Sequence, residues 1–262
     1  MGKVILTCFA GRKRYLEILF RYIDRLKVDE VHIWDYTRDQ ADAKWLKDNC
    51  RYRMFWPEDK STWKDYYTYY TADKYAQDDV IIKCDDDIVF IDTDQFETFV
   101  ANRRAHPECL VGYAGIINNR VCGLNQAEQK IIPFSEENVN LVYYSNDMCS
   151  QLHDYFAHNS VQVCKKAREV GGPTLITPNR LGNMININFI AVLGKDLWAF
   201  QECWDVDEDK LSMTIPFKRR LCNYIDTSFT VSHMAFTQQR KAGFDEAPHL
   251  ARYKTLAEKG AL

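Results

Sequence analysis

The sequence predicts an α/β fold in which a mainly parallel, Rossmann-like central sheet is flanked by helices. Apolar runs of strand length alternate with helically spaced segments over the first hundred residues, the pattern of βαβ units. The 262 residues are 46% hydrophobic and 27% charged, enough to bury one large core. The apolar run Val80-Ile81-Ile82 leads into three consecutive carboxylates, Asp85-Asp86-Asp87, where a central strand should end.

Each element follows from its residues. Lys3 to Phe9 reads as the first strand, and Lys13 to Leu26 as a helix with Leu16, Leu19, Phe20, Ile23 and Leu26 on one face. A strand at Glu30 to Asp35, a short helix near Asp39 to Asp48, a strand at Arg51 to Trp56 and a Tyr-rich helix at Ser61 to Ala76 come next. Val80 to Cys84 is the fourth strand, and Asp92 to Ala105 is helical. From Cys109 through the polar segment Asn118 to Asn140 the pattern loosens and mixed topology is expected. Gly171-Gly172-Pro173 and Pro178 to Asn183 mark loops before the apolar run Ile185 to Leu193. Lys195 to Cys203 and Asp207 to Arg220 read as helices, the second kinked or broken by Pro216. Phe229 to Val231 is a last strand, and the polar end from Thr237 reads as a mobile flap or tail.

The 34 Lys and Arg against 37 Asp and Glu give a net charge of −3, which argues against nucleic acid or an anionic membrane as the main partner. No apolar stretch approaches the ~20 residues of a membrane span. The first nine residues are followed at once by Arg12, Lys13 and Arg14, and so read as a strand rather than an export signal. Nine scattered cysteines without a Cys-x-x-Cys pair fit reduced thiols in a cytoplasm. A soluble, cytoplasmic protein is the expectation.

Asp85 and Asp87, two apart in extended chain, point the same way and could share one hard cation, with Asp86 facing elsewhere. A cation held by one or two carboxylates usually keeps waters and bridges to phosphate. Neither a Gly-x-x-x-x-Gly-Lys-Ser/Thr loop nor a Gly-x-Gly-x-x-Gly fingerprint is present, which leaves metal plus diphosphate without a glycine cradle.

The opening strand with Thr7-Cys8-Phe9-Ala10-Gly11-Arg12, the alternating units and then Lys83-Cys84-Asp85-Asp86-Asp87 resemble glycosyltransferases of the GT-A fold, whose Asp-x-Asp motif the aspartates match. The likeness covers roughly residues 1 to 235 and is nearest to small soluble glycosyltransferases of large algal viruses, the chloroviruses, which would place the protein in a host cytoplasm. It implies one transferase domain over 1–262. Within it, 1–117 would form the nucleotide-binding half, 118–235 the acceptor side and 236–262 a C-terminal tail. The resemblance implies Mn²⁺ or Mg²⁺ held by Asp87, Asp85 and His233, with Asp85 and Asp86 also near the donor. Thr7, Cys8, Phe9, Ala10 and Gly11 would lie against the nucleotide, Arg12 or Arg14 near phosphate or base, and Lys60, Trp63 and Tyr67 near base and ribose.

By the same likeness Asp209 in Asp207-Glu208-Asp209 would be the base of an inverting transfer, with Glu208 second; as plain helix-start acids they would only complement the dipole. The donor expected is a UDP-sugar, UDP-xylose first, and the acceptor a sugar hydroxyl on a growing glycan or glycoprotein. Asn183 to Asn188 would line the donor-sugar or acceptor pocket, and Trp198 and Trp204 could stack on a sugar or sit in the core. Arg240 and Lys241 read as solvated tail charges, with closure over the diphosphate as the alternative. The rivals are a haloacid-dehalogenase-like Mg²⁺ phosphatase using Asp85-x-Asp87 and a non-catalytic nucleotide-sugar-binding protein.

Overall fold

The computed structural model describes residues 2–176 and 184–260; the loop expected at Pro178 to Asn183 lies outside them. β1 (Val4–Ala10) is buried along its whole length, and α1 (Lys13–Ile23) buries Leu16, Leu19 and Ile23 among others. β2 (Glu30–Asp35), α2 (Gln40–Asn49) and β3 (Arg53–Phe55) follow, with Asp39 capping α2 by accepting from the amides of Ala41 and Asp42. β3, β2 and β1 are parallel, and β4 (Val80–Asp85) continues the parallel set on the other side of β1, Phe9 opposite Asp85. Their near-unbroken apolar runs suit a parallel sheet covered on both faces.

The Tyr-rich helix is shorter than its pattern suggests: α3 covers Lys64–Tyr69 only. Tyr70 turns to extended geometry, and its hydroxyl accepts from Trp34 Nε1 at 3.1 Å and pairs with His32 Nδ1 at 2.9 Å. Packing on β2 overrides helix propagation there. Ile88–Ile91, left unassigned above, is a strand, β5. A 3₁₀ turn then leads into α4 (Phe96–Ala105), as expected.

Beyond it the topology is mixed. β6 (Cys109–Ile117) and the short helices α5 (Arg120–Glu128) and α6 (Glu136–Val142) precede α7 (Asn146–Val170), two helical stretches joined at a kink at Asn159 and not expected from the sequence pattern. Its Cys149, Leu152, His153, Phe156, Ser160, Val163, Cys164 and Ala167 are buried at helical spacing, but His, Ser and Cys among them dilute the apolar stripe. The expected loop is present at Gly171-Gly172 and ends in a strand absent from the sequence pattern, β7 (Pro173–Ile176), while β8 (Phe189–Leu193) occupies only the end of the apolar run. The segment Gly194–Glu202 is a 3₁₀ helix. The next helical stretch runs as α8 (Asp207–Asp209), a π turn at Lys210–Thr214 and α9 (Ile215–Arg219); the widened turn just ahead of Pro216 accommodates its missing N–H without ending the stretch.

β9 (Cys222–His233) is far longer than the three residues expected, because polar Asn223, Asp226, Thr227 and Ser228 mask it. All four are buried and bonded: Ser228 donates through N and Oγ to Asp226, and Thr227 Oγ1 to Gln129. The end expected to be a mobile tail is α10 (Thr237–Lys241) and α11 (Ala247–Lys259). α11 packs on α1 and α7, where the Tyr253 hydroxyl meets His153 Nδ1 at 2.8 Å and Ser232 Oγ at 2.9 Å.

Across the sheet the order is β3-β2-β1-β4-β8-β6-β9-β5, with β7 on β9. β8 runs antiparallel between β4 and β6, while β6 and β9 are parallel. The molecule is a mixed α/β fold whose sheet, parallel through β3-β2-β1-β4, is flanked by helices. The carboxyl ends of β1, β2, β4 and β9 and the segment entering β8 therefore meet at one edge, where open α/β sheets bind ligands.

Where β8 ends, Gly194 approaches the loop before β4 so closely that a Cβ would lie 2.0 Å from the Ala76 carbonyl oxygen. Its amide donates to Asp79 O at 2.8 Å. Gly194→Ala should lower unfolding free energy by at least ~2 kcal/mol, read as a reduced urea midpoint at unchanged slope.

Candidate active-site cleft

At that edge lies a cleft of about 610 Å³, within the usual range for small-molecule sites. Phe9, Gly11 and Arg12 line it from the end of β1, Tyr36 and Arg38 from the end of β2, and Trp63 from the turn before α3. Asp85, Asp86 and Asp87 enter from β4, His233 from β9, Arg240 from α10, and Asp207 and Glu208 from α8.

The three aspartates diverge because the strand stops at Asp85 and the chain turns. Asp85 accepts from Lys83 Nζ at 2.6 Å and from Asn188 Nδ2 at 3.0 Å. Lys83 is buried, donates also to Ile187 O at 3.1 Å and lies 4.7 Å over the Phe9 ring. Asp86 accepts from the Gly11 amide at 3.1 Å and from Arg12 Nε at 3.0 Å. Asp87 has Arg12 NH2 at 2.8 Å and Arg240 NH1 at 3.4 Å on Oδ2, and His233 Nε2 at 3.3 Å on Oδ1.

Burial pushes the Asp85 and Asp86 carboxyls up, against the downward pull of Lys83 and Arg12. At Asp87 burial acts the same way, but His233, Arg12 and Arg240 outweigh it and hold the carboxyl well below the usual range. Of the three, Asp87 has the surroundings that most favour the carboxylate form.

The residues suit a divalent cation. Seven carboxylates face the cleft against four Lys and Arg side chains. Asp87 Oδ1 and His233 Nε2, an oxygen and an imidazole donor, confront each other, and Asn188, which lines the same cleft and is bonded to Asp85 through Nδ2, has a buried Oδ1 without a partner. No group of three His, Cys, Asp or Glu side chains forms a ready metal cage among the described residues. The set instead resembles a Mg²⁺ or Mn²⁺ site completed by phosphate and water.

Of the nucleotide contacts expected from sequence, Phe9, Gly11, Arg12, Trp63, Asp85 and Asp86 line the cleft. Thr7, Cys8 and Ala10 are core residues; the Thr7 hydroxyl meets Tyr66 at 2.7 Å and Ile82 O at 3.1 Å. Arg14 points to Glu246 at 2.9 Å, and Lys60 pairs with Asp35 at 2.9 Å beneath the end of β2. Tyr67 is buried and donates to Asp207 Oδ2 at 2.7 Å, so it acts on the site only through that carboxylate. Trp198 lies under Arg219 and Trp204 is half exposed; neither lines the cleft.

Asp209 falls outside the cleft lining and accepts from Thr214 Oγ1 at 2.5 Å, whereas Glu208 lines it and accepts from Asn186 Nδ2 at 3.1 Å. Of the segment expected to line a sugar pocket, Ile187 and Asn188 do so, and Asn183 lies outside the described residues. Arg240 is no solvated tail charge: α10 places it between Asp87 and Glu246. The sequence reading missed Tyr36, Arg38 and Lys83, of which Lys83, two before Asp85 on one strand face, was visible by parity.

No family model and no curated protein matches the chain. Among solved structures it is similar to CMP:2-keto-3-deoxy-manno-octonic acid synthetase complexed with CTP, at 10% identity over 98% of each chain and a TM-score of 0.47. No helix among the described residues is long and apolar enough to cross a membrane.

Glu208 offers a pH signature. Burial pushes its carboxyl up, so ionising it costs the folded state, and this cost appears as pH rises through the shifted value. Glu208→Gln has no such cost. The variant's Tm relative to wild type should climb between about pH 4 and pH 7, whereas a pH-independent difference would mean a solvated carboxylate.

Proposed function

We propose that the protein is a metal-dependent glycosyltransferase of the GT-A type, moving a sugar from a nucleoside-diphosphate donor to a hydroxyl of a glycan acceptor. The observation that carries this reading is the convergence of Asp85, Asp86 and Asp87 with His233, Arg12 and Arg240 in one cleft at the carboxyl edge of the sheet. Such a cleft combines a cation site with guanidinium groups that suit a diphosphate.

In this reading Asp87 and His233 would hold Mn²⁺ or Mg²⁺, with Asp85 and its partner Asn188 lining the same cleft. The cation would supply positive charge to the departing diphosphate. Arg12 and Arg240 stabilise the same developing charge from the protein side. The aromatic ring set Phe9, Tyr36 and Trp63, with centroids 4.8 to 5.3 Å apart, offers a wall for a planar base. Uracil is the base and xylose the sugar to try first.

Glu208 is the base. It lines the cleft, and burial raises its carboxyl, which makes the carboxylate a stronger acceptor for the hydroxyl proton. The acceptor oxygen then bonds to the anomeric carbon as the carbon–phosphate-oxygen bond breaks and the nucleoside diphosphate leaves, giving inversion. A phosphatase nucleophile is harder to place: both oxygens of Asp85 are engaged by Lys83 and Asn188.

Thermal unfolding with UDP-, GDP- and CMP-sugars, each with Mn²⁺, Mg²⁺ or EDTA, tests the reading. A donor at ~100 times its dissociation constant should add ~2.7 kcal/mol and raise Tm by several degrees, only with metal. Asp87→Ala should abolish that shift. Glu208→Gln should keep it while transfer to an acceptor falls ~10²-fold or more. Metal-dependent binding without turnover on any acceptor would favour the non-catalytic binding protein, and a response to phosphate analogues alone the phosphatase.

A further inference from the structure

Asp87 presents Oδ1 to His233, but its Oδ2 already has a close partner in Arg12 at 2.8 Å and a more distant one in Arg240 at 3.4 Å. Arg12 is anchored on three sides. Its Nε donates to Asp86 Oδ2 at 3.0 Å, its NH2 also reaches Asp86 Oδ1, and its guanidinium carbon lies 4.6 Å over the Tyr15 ring. Asp86 is in turn fixed by the Gly11 amide, where an added Cβ would come within 3.1 Å of the same carboxylate oxygen.

A divalent cation at Asp87 would have to share that carboxylate with a full positive charge held in a poorly solvated place, which opposes its entry. The Arg12 side chain is nevertheless 31% exposed and lines the cleft. Its planar fork suits a phosphate as well as a carboxylate.

Resting on the transferase reading, we infer that Arg12 is an internal counter-ion that yields Asp87 to the metal only when a nucleoside diphosphate arrives to engage the guanidinium. Metal and donor then bind as a coupled pair, each raising the affinity of the other by the same factor. Asp86 is a positioning residue here, holding Arg12 where both exchanges occur.

The test is Mn²⁺ binding followed by the electron paramagnetic resonance signal of the free aqueous ion, for wild type, Arg12→Gln and Arg12→Lys, with and without UDP. Wild type should bind Mn²⁺ at least ~10-fold more tightly with UDP than without. Arg12→Gln should bind Mn²⁺ alone at least ~10-fold more tightly than wild type, and its UDP effect should shrink. Arg12→Lys keeps the charge and should stay near wild type without UDP. Ligand-free thermal unfolding establishes that the variants are folded.

Equal Mn²⁺ affinity of wild type with and without UDP overturns the inference, and this arm needs no variant. So does an Arg12→Gln protein that binds Mn²⁺ alone no better than wild type while the wild-type coupling persists; the transferase site would survive that result. Wild type that binds Mn²⁺ in neither condition removes the site reading itself.

Discussion

Three adjacent carboxylates at the end of a buried strand are a severe electrostatic demand, and much of the molecule is arranged to meet it. Unpaired, they would protonate or unfold the strand end. Their compensation comes from four places: Lys83 on the strand itself, Arg12 where β1 gives way to α1, His233 at the end of β9, and Arg240 on α10. Breaking one such buried partner costs far more than the pair contributes as a whole, because a charge is left without its counter-ion. The sheet order that puts β1 beside β4 and brings β9 to the same edge is thus also a charge arrangement.

The C-terminal helices extend that logic. Glu246, nearly buried, accepts from the Tyr15 hydroxyl at 2.7 Å, pairs with Arg14 at 2.9 Å and faces Arg240 at 3.5 Å. A second acid behind the arginine keeps it from collapsing wholly onto Asp87. The polar composition of this region suggests a solvated tail, and Lys241 is indeed exposed, but Gln239, Arg240 and Glu246 turn inward to internal partners.

Legibility followed the kind of information each element carries. β1, α1, β2 and β4 are written in local periodicity, so their order could be read directly, as could the triad at the strand end. β9 was hidden because its buried Asn223, Asp226, Thr227 and Ser228 look like loop residues until their partners, tens of residues away, are known. α7 was hidden by buried His153 and Ser160 on its inner face. Within the site, the choice between Glu208 and Asp209 depends on one step of helix phase and on the π turn that follows, neither of which a string of three acids reveals. Thr7, Cys8 and Ala10 share the neighbourhood of Gly11, but β1 is buried on both faces, so its side chains enter the core whichever way they point.

The spacing of these counter-charges along the chain has a consequence for how the protein is made. Arg12 lies 75 residues before Asp87, and Arg240 comes 153 residues after it. During synthesis the parallel half can pair as soon as β4 emerges, yet Asp87 would then have Arg12 alone against its buried charge. β5 also waits, since its ladder partner is β9. The cleft is therefore a late product of folding, completed only when β9 and α10 have left the ribosome, and a nascent chain halted before them would carry a formed sheet with an unfinished, acid-rich edge.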